Sequence, residues 1–406
     1  MKKTGFIGLI GAVLFVFFVS GQQNIQSVTE ILPEPDSLAA ASIPEPLDIE
    51  EIIQEYDSLI SAEIKLSGTI GAAVAITYKN RVVLLKCFGV KKSGTNDSID
   101  QNTIFRLASV SKPISGVLAG MLAEEQIIGL DDKVIDYIPG FRLKNQTMTR
   151  ELSVRNLLTH TTGLAPHSYD NLVEQKLPLN QIMNQLYLAN TPSNPGELYT
   201  YQNVMFSLYD TIVASKTGKK YGEVLKEKLF IPFAMNNACT GFESFRNNNN
   251  KALPHSGATL IKMNDRYYNT ISAAGVNASI SDMKNFLLTL LTDSTHALNN
   301  VAEMIFAPQI QTDLSGGYFS QWNKVDSKEY GIGWRIIGYK GRKVAYHGGF
   351  VKGYRAEIAL CKDEQVGIVY LSNSPSTVAA RSVPEFINRL FDFKDQQKIA
   401  DNLVPD

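Results

Sequence analysis

Strand-forming runs lie only towards the two ends of this 406-residue chain, and that split limits what it can fold into. Near the beginning, Thr69 to Tyr78 and Arg81 to Val90 are rich in β-branched and apolar residues. Their junction at Lys79-Asn80 predicts a hairpin. Near the end, Gly331–Tyr339, Lys343–His347, Tyr354–Cys361 and Val366–Leu371 have the same character, and a helix is expected over about Ala379 to Phe391. Between about 125 and 310 the apolar periodicity is helical, clearest in 180–189, 203–215, 221–230 and 282–292. A lone hairpin is marginal in water, so the early strands must join the late ones. The expected class is therefore α+β: one antiparallel sheet built from both chain ends, flanked by helices, with an inserted, mostly helical lobe. The sheet part spans about 48–120 and 325–395, and the lobe about 121–324. A cleft between the two is where a pocket would form.

The first 47 residues read differently. Lys2 and Lys3 precede an uncharged apolar run from Thr4 to Ser20, with small Ser20 and Gly21 before polar Gln22. That layout predicts a signal peptide over 1–21 and an exported protein, periplasmic or secreted. The alternative is an uncleaved helix that anchors the chain to a membrane, although the run is short for a span. Residues 22–47, rich in Pro, Ala and Ser, read as a disordered linker. From 48 onward a folded domain is expected to about 395. It opens with a helix on Ile49, Ile52, Ile53, Tyr56, Leu59 and Ile60, for which Asp48 and Glu51 resemble a capping box.

Composition excludes several functions. The net charge is −1 and no basic stripe exists, so no nucleic-acid partner is expected. Cys87, Cys239 and Cys361 lack metal-ligand spacing and read as buried free thiols, so neither a metal nor another cofactor is implied.

The chemistry concentrates at Phe105-Arg106-Leu107-Ala108-Ser109-Val110-Ser111-Lys112. Ser109 and Lys112 stand at i and i+3 where a helical run begins (Val117, Leu118, Met121, Leu122), which stacks an amine beside a hydroxyl. Serine is a poor nucleophile until a base takes its proton, and a desolvated lysine can do so. A second Ser-x-x-Lys, Ser281 to Lys284, reads instead as Ser281 capping the helix of Met283, Phe286, Leu287 and Leu290.

With Ser109 after a hairpin and opening a helix, the chain resembles the serine β-lactamase and penicillin-binding protein superfamily, in which Ser-x-x-Lys is the acylating signature. Within it the chain looks most like class C β-lactamases and the related DD-peptidases and esterases. The likeness runs from about 50 to 392 and rests on blocks in family order: Phe105–Lys112, Leu157–Leu164, Pro195-Gly196 before Tyr201-Gln202-Asn203, Ala274-Gly275-Val276, Tyr330–Trp334 and His347-Gly348-Gly349.

The resemblance implies two further elements. Its Tyr-x-Asn is matched at 78–80, 169–171, 201–203 and 267–269, and Tyr201-Gln202-Asn203 fits because it follows Pro-Gly and opens a helix. Its Lys-Thr-Gly is matched literally at Lys216-Thr217-Gly218, but that copy ends a helix, where glycine is ordinary C-cap chemistry. His255-Ser256-Gly257 comes early and looks loop-like. His347-Gly348-Gly349 ends a strand and is the better match. The implied roles are nucleophile for Ser109, proton exchange for Lys112 and Tyr201, and substrate contact for Asn203. Gly348 and Gly349 would let substrate lie along the strand edge, and the Ser109 and Phe350 N–H groups would hold the oxyanion. His347 would assist Tyr201 or bind an anion, while His160 reads as structural and His296 as solvent-exposed. Whether Lys112 or Tyr201 is the base stays open. The expected activity is a serine hydrolase working through an acyl-enzyme on an ester or amide, of esterase or D-amino-acid peptidase type, on a small-molecule or peptide substrate. A class C-like β-lactamase and a non-catalytic protein binding cell-wall peptides are the alternatives.

Overall fold

Strands β1 (Gly71–Tyr78) and β2 (Arg81–Gly89) form the expected hairpin, turning through Lys79 at φ 54°. The rest of their sheet comes from the end of the chain: β3 (Ile310–Gln311), β4 (Val325–Tyr330), β5 (Arg335–Tyr339), β6 (Arg342–Val351), β7 (Tyr354–Cys361) and β8 (Val366–Ser372). Their order is β2-β1-β8-β7-β6-β5-β4-β3, and every pairing is antiparallel. The early hairpin joins the late strands through β1 and β8, from Ala72↔Ser372 to Tyr78↔Val366. This computed structural model describes residues 48–292, 295–312, 319–322 and 325–401. The expected signal peptide and linker lie outside the described residues.

Both faces of the sheet are covered, which is why its strands read as continuous apolar runs rather than alternating ones. Side chains alternate between the faces. Val369 and Leu371 of β8 join the large core that also holds α2 (Ser111–Glu124) and α4 (Ile280–Thr292). Tyr370 points the other way, towards α1 (Glu50–Leu66) and α6 (Thr377–Asp401), which pack on each other. On that side Tyr56 meets Phe386 edge-on at 5.2 Å, and Tyr339 of β5 meets Phe391 at 5.5 Å. The inserted lobe centres on α3 (Asn203–Thr217), with short helices around it.

Several expectations shift. The presumed strand over 331–339 opens with a turn at 331–334, in which Gly331 N–H donates to the Trp334 carbonyl and Gly333 has φ 76°, so only 335–339 is strand, and β4 lies before the turn. That turn lies against α2. A Cβ on Gly333 would fall on the Lys112 carbonyl, and one on Gly116 would fall on the Ile332 carbonyl. α4 and α5 (His296–Phe306), assigned to the lobe by position, pack on the sheet and on α2. Helical periodicity shows which face is buried, not against what. Asp48 does not cap α1, whose N-cap is Ile49, because it accepts from the Tyr78 hydroxyl at 2.9 Å. The cap of α4 is Ser279 rather than Ser281: it exchanges hydrogen bonds with Asp282, whose carboxylate takes the Ser279 N–H at 2.8 Å. The last helix runs ten residues past Phe391 and through Pro384. Cys361 is buried, but Cys87 and Cys239 are only half-buried, and all three thiols are free.

Candidate active site

The serine at the centre is held by backbone on three sides. Ile104–Arg106 is a short strand paired with Val276–Ser279, and the Leu107 N–H extends that ladder to the Val276 carbonyl at 3.1 Å. Ala108 then takes φ 48°, a conformation that non-glycine residues seldom adopt and that strained functional sites tend to hold. A single 3₁₀ turn, Ala108–Val110, carries Ser109 into the front of α2. From the sheet side, Gly349 of β6 lies against this turn. A Cβ there would fall on the Leu107 carbonyl and within 3.1 Å of Ser109 N. His347-Gly348-Gly349 therefore sits inside a strand that continues to Val351, not at its end.

Tyr201 donates to Ser109 Oγ at 2.9 Å. Its loop is fastened by the residues around His160. His160 O accepts the Thr200 N–H at 2.8 Å, and His160 Nδ1 accepts the Gln202 N–H at 3.2 Å. Buried Gln202 donates to the carbonyls of Leu164 and Ala165 and accepts from Thr162. The His160 ring packs 4.4 Å from the Tyr201 ring centroid, so this histidine supports the phenol from behind. Burial holds its imidazole well below the usual histidine range, with the Lys112 and Arg335 charges adding to the effect.

Lys112 is fully buried on the first turn of α2. Its Nζ donates to Asn203 Oδ1 at 2.7 Å and to the Ala273 carbonyl at 3.1 Å, and stands 4.5 Å from the centre of the Tyr201 ring. Among the described residues it makes no hydrogen bond to Ser109, contrary to the direct pairing expected from the i, i+3 spacing. The 3₁₀ turn and the two better acceptors take the amine behind the phenol instead. Burial drives the amine well below the ordinary lysine range. Asp170 opposes that shift and Arg335 reinforces it.

Asn203 is committed at both ends, to Lys112 through Oδ1 and to Asp170 through Nδ2 at 2.9 Å. His347 is buried and neutral: burial, with Arg335 and Lys112 adding, lowers its pKa well below the usual value. Its Nδ1–H donates to the Gly348 carbonyl at 2.9 Å, which leaves Nε2 to accept from the Tyr330 hydroxyl at 3.2 Å. A neutral ring so occupied is not the anion-binding cation expected there. Cations on the cavity wall include Arg335, which donates to the Tyr199 hydroxyl at 3.2 Å and lies 5.6 Å from the Tyr201 ring centroid, and Lys352 and Arg355.

Ser109, Tyr201, Asn203, His347, Gly348 and Phe350 line one cavity of about 870 Å³ between sheet and lobe, and Lys112 sits behind its wall. Sequence reasoning missed Asp170, His167 and Arg335, which line it too. Asp170 lies within the Tyr-x-Asn copy at 169–171, and Arg335 directly follows the Tyr330–Trp334 block. The other motif copies fall elsewhere or bond otherwise. Tyr78 binds Asp48, and Tyr267 lines the cavity but donates to Glu174 at 2.9 Å. Gly218 is the left-handed C-cap of α3. His255-Ser256 is half of a small hairpin with Thr259-Leu260 rather than loop, and it bonds to Ser93 and Asn373. Among the described residues no cluster could hold a metal ion, and no helix is long and apolar enough to cross a membrane.

A fold joining both chain ends in one sheet, with a serine turn, Tyr-x-Asn and a glycine-bearing strand at one cavity, defines a family. The chain matches the Beta-lactamase family model over residues 56–389 and belongs to that family. It is 22% identical to protein flp of Staphylococcus aureus (strain MRSA252), over 86% of this chain and 68% of that protein. It is 26% identical to penicillin-binding protein 4* of Bacillus subtilis (strain 168), over 70% of this chain and 64% of that protein. Its fold is similar to that of the octameric penicillin-binding protein homologue from Pyrococcus abyssi, with TM-score 0.69 and 20% identity over 83% of this chain and 77% of that one. Together these support a serine hydrolase of the acyl-enzyme type in general.

Proposed function

We propose that the protein hydrolyses an ester or amide through an acyl-enzyme on Ser109, as an esterase or D-amino-acid peptidase. The observation that carries this reading is the 2.9 Å contact of Tyr201 Oη with Ser109 Oγ, with a desolvated Lys112 amine beside the same ring. Ser109 Oγ attacks the carbonyl carbon and its proton passes to the Tyr201–Lys112 pair. The oxyanion is received by the Ser109 and Phe350 N–H groups, a donor of this kind being worth about 3 kcal/mol. The pair returns the proton to the leaving group as the carbonyl re-forms. Water then attacks the acyl carbon by the same route and frees Ser109. A second reading, a class C-like β-lactamase, is supported by the positive charge that Arg335 contributes to the cavity wall.

The test is a substrate panel of nitrocefin, short-chain p-nitrophenyl esters and a D-Ala-D-Ala peptide. It is run with wild type and Ser109→Ala, alongside labelling by a fluorophosphonate probe. Turnover and labelling should both vanish in Ser109→Ala. Undiminished labelling would place the nucleophile elsewhere, and no acylation by any probe together with tight peptidoglycan binding would make this a binding protein. The apolar run at Thr4 to Ser20 supports an exported protein, which N-terminal sequencing of the mature chain would check.

A further inference from the structure

Asp170, which no motif assigned a role, reaches Lys112 through Asn203. It opens a short helix behind Tyr169, whose φ of 64° turns the chain towards the cavity. Asp170 Oδ2 accepts from Asn203 Nδ2 at 2.9 Å and from His167 Nδ1 at 2.8 Å. Its Oδ1 is buried without a hydrogen-bond partner among the described residues. Asn203 Oδ1 in turn accepts from Lys112 Nζ at 2.7 Å. Three hydrogen bonds thus join an imidazole that is 62% exposed to a wholly buried amine.

We propose that Asp170 is a positioning residue of the acyl-transfer centre: it orients the Asn203 amide so that its oxygen faces Lys112, and His167 caps the same carboxylate from the solvent side. This rests on the reading of Ser109 as nucleophile. A carboxylate only accepts hydrogen bonds, so it selects the NH₂ end of the amide and turns the oxygen to the lysine. An uncharged amine has two N–H bonds, which Asn203 Oδ1 and the Ala273 carbonyl take up. Its lone pair is left for proton exchange. A flipped amide would instead donate to that lone pair and occupy the base.

The same arrangement sets charge. The groups facing Lys112 are Tyr201, Asp170, Arg335, His160 and His347, with His167 beyond Asp170. Both buried histidines are held neutral, so Asp170 is the anion that favours the protonated amine. The hydrogen bond to Asp170 raises the His167 pKa, and the imidazolium form that it favours offsets the carboxylate. Removing the anion or the cation should therefore move Lys112 in opposite directions.

The test is the rate of Ser109 labelling by a fluorophosphonate from about pH 5 to about pH 9. Asp170→Asn should lose roughly 10- to 100-fold of the plateau rate, and its acid limb should move to lower pH. His167→Gln, at an exposed ring that the fold does not need, should move the acid limb to higher pH. Limbs that superimpose on wild type, or that move the same way in both variants, overturn the proposal. If Asp170→Asn does not fold, the direction of the His167→Gln limb decides alone. Labelling that survives in Ser109→Ala overturns the nucleophile reading and this proposal with it. Labelling lost in Ser109→Ala with unshifted limbs overturns this proposal only.

Discussion

Gly349 and Ser109 lie backbone against backbone, so close that a methyl group on Gly349 would fall on the Leu107 carbonyl and crowd the Ser109 N–H. The sheet and the serine turn meet there without any side chain between them, which brings the β6 edge against Ser109. Gly349→Ala must therefore push the strand or the turn aside by a few tenths of an ångström or more. We expect about 1–3 kcal/mol of lost stability and a labelling rate reduced by roughly 100-fold. Denaturant titration and probe kinetics measure the two effects, and a wild-type labelling rate would show that the close approach is dispensable.

Tyr201→Phe removes only the oxygen that touches Ser109 and keeps the ring against His160 and Lys112. Loss of a positioned proton-transfer group costs about 10²- to 10⁴-fold in rate. The variant should keep its thermal midpoint within a few degrees and lose acylation. Retained acylation would assign the whole base role to Lys112.

His347 is neutral in the folded protein because burial disfavours its charged form. Its folded pKa lies well below the unfolded value of about 6.5, so between those two values the unfolded chain binds the extra proton. Stability from this group is complete above about pH 6.5 and declines as pH falls below it, by up to about 1.4 kcal/mol per pH unit. Midpoints of His347→Gln measured at several pH values should fall less steeply on acidification than those of wild type. Parallel curves would mean that the ring titrates in the fold as it does in the unfolded chain.

Asp210 gives the opposite sign. It is half-buried on α3 and accepts the N–H groups of Ile271 at 3.0 Å and Ser272 at 2.9 Å, next to the Ala273 carbonyl that receives Lys112. Burial raises its carboxyl to about 7, although those hydrogen bonds oppose the shift. From about pH 4 to about pH 7 the folded state holds a proton that the unfolded chain has released, so stability falls as pH rises. The whole window amounts to something on the order of 4 kcal/mol. The stability of wild type relative to Asp210→Asn should decline across that window, and a constant difference would contradict the assignment.

Much of the fold was legible because local chemistry repeats along it. The β1–β2 hairpin and the strands β7 and β8 match their apolar runs, and α3 and α4 match their periodicity to within two residues. Boundaries failed where tertiary contact decides them. The 331–334 turn exists to meet α2, Asp48 left its helix for Tyr78, and β6 runs on through two glycines because β7 pairs with it, Gly349 opposite Ala356.

By itself the sequence singled out candidates for the chemistry: Ser109 and Lys112 by their spacing, and, through the family resemblance, Tyr201 and Asn203 at the start of a helix. Tertiary structure alone decided what each one touches. Lys112 meets Asn203 and Ala273 rather than Ser109, His347 is held neutral against Tyr330, and Asp170 and Arg335 enter the cavity from positions to which no motif gave a role. The reason is physical. Spacing along a helix or strand fixes only the nearest few neighbours, whereas hydrogen-bond partners and protonation states depend on register and burial, which residues far apart in the chain set together.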